Sequence, residues 1–116
     1  MDELAKGIQV AKGQLTEMLS GKAQIETLMQ ALQAVTDTLA AVSEEGILSL
    51  ALPPRLKREL VAQKTLFPLM TGRRREPLRA VGTVILYECC VDLKIDDQYE
   101  KWRIRFEEIL AQLIPD

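Results

Sequence analysis

A seam of apolar residues over the first third of the chain constrains its fold more than any other feature. Leu4, Ile8, Ala11, Leu15, Met18, Ile25, Met29, Leu32 and Leu39 recur at steps of four and three, with Lys22 and Thr36 in the vacant slots. Heptad spacing of this kind belongs to helices that pack along their length. A second stripe at Leu28, Val35 and Val42 widens the apolar face, as in a helix buried in a bundle. The spacing predicts a helix over residues 1–45. Gly21 could stand just past a helix end, which leaves two helices as the alternative. Lys22, Ala23 and Gln24 supply no N-cap for a successor, however, and the seam keeps its phase across the gap. An interior glycine costs about 1 kcal/mol, which a helix this long can absorb. Such a seam exceeds what shorter helices can cover, so self-association as a homo-oligomer through the N-terminal helix is expected.

Gly46 is the natural stop for that helix, and Pro53-Pro54 separates it from the next, expected over 54–66 with Leu56, Leu60 and Val61 on one face. Thr71-Gly72 marks a loop presenting Arg73, Arg74 and Arg75. Over 78–92 two periods compete: Leu78, Val81, Ile85 and Cys89 match a helix, while Val81, Thr83, Val84 and Ile85 would suit a buried strand. A lone strand has no partner, so the helix is the reading. A last amphipathic helix over 97–114 carries Tyr99, Trp102, Phe106, Ile109 and Leu113, with Asp97 and Glu100 as a capping-box-like start. The fold expected is therefore all-α, one domain over 1–116, a bundle of four or five helices with the long N-terminal helix as its spine. With 116 residues, 47% of them apolar, the chain can bury a core without metal or disulfide.

Absences narrow the chemistry. The chain has no His, so imidazole bases and His-ligated metals are unavailable, and no Asn, which removes N-glycosylation acceptors. Ser20-Gly21-Lys22 has Thr16 and Ala23 where a phosphate-binding loop needs Gly and Ser or Thr. Asp92, Asp96, Asp97, Glu100, Glu107 and Glu108 lack the alternation and central Gly of a calcium loop and read as helix-starting acids. Cys89 and Cys90 are adjacent, a spacing that strains an intrachain bridge and forms no Cys-x-x-Cys motif. One is expected in the core and the other at its edge, with Glu88 and Asp92 raising the thiol pKa. No catalytic residue, metal or cofactor is read from the sequence. The N-terminus has charges where a secretory signal needs an apolar run, and no stretch approaches the length of a membrane span. A reducing cytoplasm is the expected compartment.

Charge is segregated. Residues 1–52 hold seven acids and three bases, residues 53–80 two acids and eight bases, and residues 81–116 eight acids and four bases. The basic block, Arg55, Lys57, Arg58, Lys64, Arg73, Arg74, Arg75 and Arg79, either meets its own acidic flanks or faces an acidic partner. Its arginines suit carboxylates and phosphates equally. Tyr99, Trp102 and Phe106 form the other candidate surface, a core stripe or a partner-binding hot spot. The function expected is noncatalytic: a cytoplasmic helical adaptor, assembly factor or complex subunit using Arg55, Arg58, Arg73, Arg74, Arg75, Arg79, Tyr99, Trp102 and Phe106. The alternative is a nucleic-acid-binding subunit using residues 55–79, against which stand the sequence pI near 5.3 and Phe67 as the lone nearby stacking ring.

Overall fold

Gly21 sets the arrangement of the N-terminal third. In the computed structural model, which describes residues 2–115, helix α1 (Asp2–Leu19) stops beside it and helix α2 (Ile25–Ala41) begins afresh. Gly21 has a left-handed φ of 72°. Its amide donates to the Met18 carbonyl at 3.0 Å and the Lys22 amide donates to the Glu17 carbonyl at 2.9 Å. Those two bonds are the Schellman closure of a helix end, which needs a residue free to adopt positive φ. The continuous helix expected over 1–45 is thus broken, and Met1 and Asp116 at the ends of the expected ranges lie outside the described residues. Gln24 starts α2 without a side-chain cap. Packing of Leu28, Leu32, Val35 and Leu39, all fully buried, holds the helix in place of a capping bond.

The two helices form a hairpin, with Gly7 across from Val35. Leu4, Ile8, Ala11, Leu15 and Met18 are buried in it, whereas Ile25 and Met29 are only partly buried, so the phase kept across the gap does not mark one continuous buried face. Most of the seam is covered by the chain's own helices, which reduces the exposed apolar surface on which the expectation of self-association rested to the partly buried Ile25 and Met29. Gly46 is not a stop either. Ser43 accepts a bond from the Gly46 amide at 3.1 Å and caps a short helix α3 (Glu44–Leu48), whose first turn carries Glu44 and Glu45.

Helix α4 (Pro54–Leu66) has Pro54 in its first turn. A 3-10 turn at Phe67–Met70 leads to α5 (Arg75–Asp92), and a second at Asp96–Gln98 leads to α6 (Tyr99–Leu113). The bundle is all-α, as expected, and residues 78–92 are helical, though α5 begins three residues earlier, at Arg75. Asp97 and Glu100 do not form a capping box: the residue before α6 is Gln98, which makes no side-chain cap, and Glu100 is held by Arg103 at 2.8 Å.

The spine is α5, not the N-terminal helix. It packs against α1, α2, α4 and α6 and buries Leu78, Ala80, Val81, Gly82, Ile85, Leu86, Glu88, Cys89 and Cys90. Being covered on several sides explains its mixed period, since a helix with neighbours all round loses the narrow stripe of an amphipathic one. Gly82 lets α6 approach. A Cβ there would lie 2.7 Å from Phe106 Cε2 and nearer still to Cζ, and Phe106 is fully buried. Helix α5 ends like α1, with the Ile95 amide donating to Cys90 O at 2.8 Å and the Lys94 amide to Val91 O at 3.0 Å. Here Lys94 occupies the left-handed position, with φ 60°.

Two substitutions test this packing in urea denaturation. Gly82→Ala should lower stability by about 2 kcal/mol through overpacking against Phe106, with partial recovery on adding Phe106→Leu. Lys94→Gly should raise stability by about 1 kcal/mol, because it removes the steric cost of a side chain in the left-handed region.

Candidate interaction surface

The basic middle segment is divided by the fold. Arg55 stands at the start of α4 opposite Glu88 near the end of α5, while Arg73 and Arg74 precede the other end of α5. Roughly 20 Å of helix separates the two groups, so they do not make one patch across the loop. Much of the segment is committed internally. Lys57 Nζ donates to the Leu48 carbonyl at 2.9 Å, Lys64 Nζ to Leu39 and Ala40 at 3.1 and 2.8 Å, and Arg75 Nη1 to Ile114 at 3.2 Å. These close the C-terminal ends of α3, α2 and α6, where carbonyls lack intrahelical donors and the helix dipole favours a cation. Arg79 pairs with Glu76, whose carboxyl is held below its ordinary range first by that bond and less by Arg79, Arg73 and Arg75 charge. Arg58, Arg73 and Arg74 are exposed and have no hydrogen-bond or ion-pair partner among the described residues.

The aromatic stripe is divided too. Phe106 is core. Tyr99 is partly buried, its ring edge-on to Tyr87 at 5.0 Å, and burial pushes its phenol pKa up. Trp102 is partly buried, with Lys101 Nζ 5.4 Å from its ring centre, and its Nε1 is enclosed with no acceptor. It lines a hollow of about 300 Å³ with Met18, Gly21, Ala23, Ile25, Arg105 and Ile109. A second hollow, of about 450 Å³, is formed by Gln33, Thr36, Asp37 and Ala40 of α2 with Phe67, Arg73, Arg74, Pro77, Leu78 and Ile114. The first sets Ile25, at the start of α2, against α6; the second sets the last turns of α2 against the start of α5 and Ile114, just past the end of α6, so that the line joining them, the α2–α6 seam, runs between two helices that make at most marginal contact with one another. Each hollow combines apolar side chains with arginine: Arg105 in the first, Arg73 and Arg74 together with Asp37 in the second.

A third cleft was not visible from periodicity. Glu88 is 4% exposed, and its Oε1 accepts from Arg55 Nε at 3.2 Å and Nη2 at 2.8 Å. The Arg55 guanidinium carbon lies 4.5 Å from the Tyr87 ring centre. The bond to Glu88, opposed by desolvation, raises the Arg55 pKa above its already high ordinary value. Read along the chain, Arg55, Glu59 and Gln63 are spaced four apart on α4, and this polar stripe is the one signal that could have flagged the site.

Among the described residues no group of three Cys, Asp or Glu side chains converges on a metal-sized site, and no helix is long and apolar enough to cross a membrane. Both cysteines are buried, not one, and both are free. Burial is the main cause that pushes each thiol pKa up; Asp92 adds to Cys89 and Asp96 to Cys90, while Glu88 is not among the causes. No protein-family model matches the chain, and no curated protein or solved structure matches it at a significant level.

The raised thiol pKa values fix a pH dependence. The folded chain keeps both thiols protonated where the unfolded chain ionises them. Their contribution to stability is therefore complete below the unfolded value of about 8.5 and is lost as pH rises through the folded value. Labelling with a maleimide at pH 8 should be much slower in the native protein than in urea, as followed by mass spectrometry. Equal rates would show the thiols to be open.

Proposed function

We propose that this chain is a noncatalytic helical adaptor or complex subunit, acting through protein-protein contact along the α2–α6 seam. The observation that carries the reading is the pair of hollows at the two ends of that seam, each lined by apolar side chains together with arginine. An acidic, amphipathic segment of a partner protein fits this pattern: apolar side chains enter beside Trp102 and Leu78, and carboxylates meet Arg105 at one end and Arg73 and Arg74 at the other. Trp102 Nε1 supplies a donor that lacks an acceptor in the free chain, and an enclosed donor left in that state costs about 1–3 kcal/mol. A carbonyl or carboxylate brought by the partner would satisfy it once the Trp102 ring turns outward, since Nε1 is enclosed in the free chain. Free, buried thiols suit the reducing cytoplasm proposed as the compartment. Of the residues expected to bind, Arg73, Arg74 and Trp102 belong to this surface. Arg55 and Arg79 have internal partners, Arg75 bonds the Ile114 carbonyl, Phe106 is core, Tyr99 packs on Tyr87, and Arg58 lines neither hollow. Self-association through the N-terminal seam forms no part of this reading.

One observation favours the nucleic-acid alternative: Phe67 stands beside Arg73 and Arg74 and could stack on a base. The two readings separate in one experiment. Material retained from lysate by the wild-type chain is compared with that retained by Arg73→Glu/Arg74→Glu and by Trp102→Ala, with circular dichroism confirming that each variant is folded. On the protein reading, a nuclease-resistant protein is lost by both variants, because both ends of the seam are used. On the alternative, the retained material is nucleic acid, its log-log salt slope falls by about one for each arginine removed, and Trp102→Ala has no effect. Retention unchanged by both variants would remove the seam from consideration.

A further inference from the structure

The cleft between α4, α5 and the start of α6 is built differently from the rest of the surface, around a buried carboxylate. Glu88 is drawn out of water with its side chain 5% exposed, and its partner Arg55 is 42% exposed. Burying such a charge beside a single, half-open guanidinium is a poor route to stability, since a well-packed apolar residue of similar volume at the same place often serves as well or better. The hydrogen bonds also leave capacity unused. Both bonds from Arg55 fall on Glu88 Oε1, with none on Oε2 among the described residues, and beyond them the guanidinium meets only Tyr87. Around these groups the cleft has a volume of about 390 Å³ and is walled by Tyr87, Tyr99, Glu59 and Gln63. The two rings meet edge to face, which fixes an aromatic corner beside the charged pair.

The charges set the class of ligand. A simple anion would meet Arg55 but also Glu59 and Glu88; a simple cation would meet two carboxylates but also the guanidinium that already covers Tyr87. A molecule carrying both charges satisfies each. We propose that this cleft binds a small amino-acid-like zwitterion, its carboxylate on the free edge of Arg55, its ammonium on Glu88 Oε2 and Glu59, and its apolar body against Tyr87 and Tyr99. The size of the cleft is in the range of small-molecule sites, and the charged groups sit where orientation is fixed by a few polar contacts on an aromatic wall. This site is separate from the α2–α6 seam and does not depend on the function proposed for it.

Isothermal titration of the full chain with L-phenylalanine, L-phenylalaninamide and 3-phenylpropanoate tests the assignment, because the three share a ring and differ only in charge. The zwitterion should bind saturably, and each singly charged analogue should bind on the order of tenfold or more weakly for loss of one charge-assisted contact. Glu88→Gln and Arg55→Gln should weaken the zwitterion to a similar extent. Should either fail to fold by circular dichroism, the exposed Glu59→Gln keeps the test open and should still weaken binding measurably. Absence of saturable binding of L-phenylalanine, or equal binding of the amide or the deaminated acid, would overturn the proposal.

Discussion

The packing of α5 against four other helices is the constraint on which the rest of the structure depends. A helix so placed cannot carry a solvated face along its full length, and its sequence is accordingly dominated by small and branched apolar residues, with one glycine where a neighbour presses closest. The seat of Phe106 over Gly82 fixes how near α6 can come, and that in turn sets where Tyr99, Trp102 and Ile114 lie along the bundle. The N-terminal hairpin packs on α5 through both of its helices. Its heptad seam is spent within the chain, on α5 and on its own two halves.

The same placement accounts for the surfaces. Because α2 and α6 both pack against the rest of the bundle without closing on each other, a furrow is left between them, lined by buried Met18, Thr36 and Leu78 together with exposed Arg73, Arg74 and Arg105. Because α4 meets α5 with a polar stripe of its own, the contact there forms a charged cleft in place of a dry interface. Geometry, more than composition, separates the arginines that join the bundle from those that face outward.

Helix type was legible in the sequence wherever a long apolar period existed: α4 over Pro54–Leu66 and the aromatic helix that became Tyr99–Leu113 lie close to where their spacing put them. The break at Gly21 was not legible, since local pattern weighed a missing N-cap against a glycine, while the deciding energy came from Leu28, Leu32, Val35 and Leu39 packing back on α1. Ser43 misled in the opposite sense, starting a one-turn helix that carries Gly46 through what reads as a stop. Of the residues on the proposed surface, Arg73 and Arg74 stand out in the sequence by charge run and Trp102 by aromatic content. The Arg55–Glu88 pair was hidden because its members are far apart in sequence, and a glutamate next to two cysteines signals nothing about which arginine will reach it. Charge runs report how much basic side chain a segment holds, and only the tertiary fold assigns each one a partner.

Lys57, Lys64 and Arg75 give the bundle a property that no single helix has. The carbonyl ends of α3, α2 and α6 receive their donors from side chains of α4 and α5. The last turns of those three helices are therefore completed only when the central part of the chain has docked. Loss of α4 from its seat would loosen the end of α2 as well, so fraying in distant parts of the molecule becomes one collective motion. Hydrogen exchange at those helix ends would report on the docking of α4 and α5, and acetylation of Lys64 would remove a charge from the hinge of that motion without touching the core.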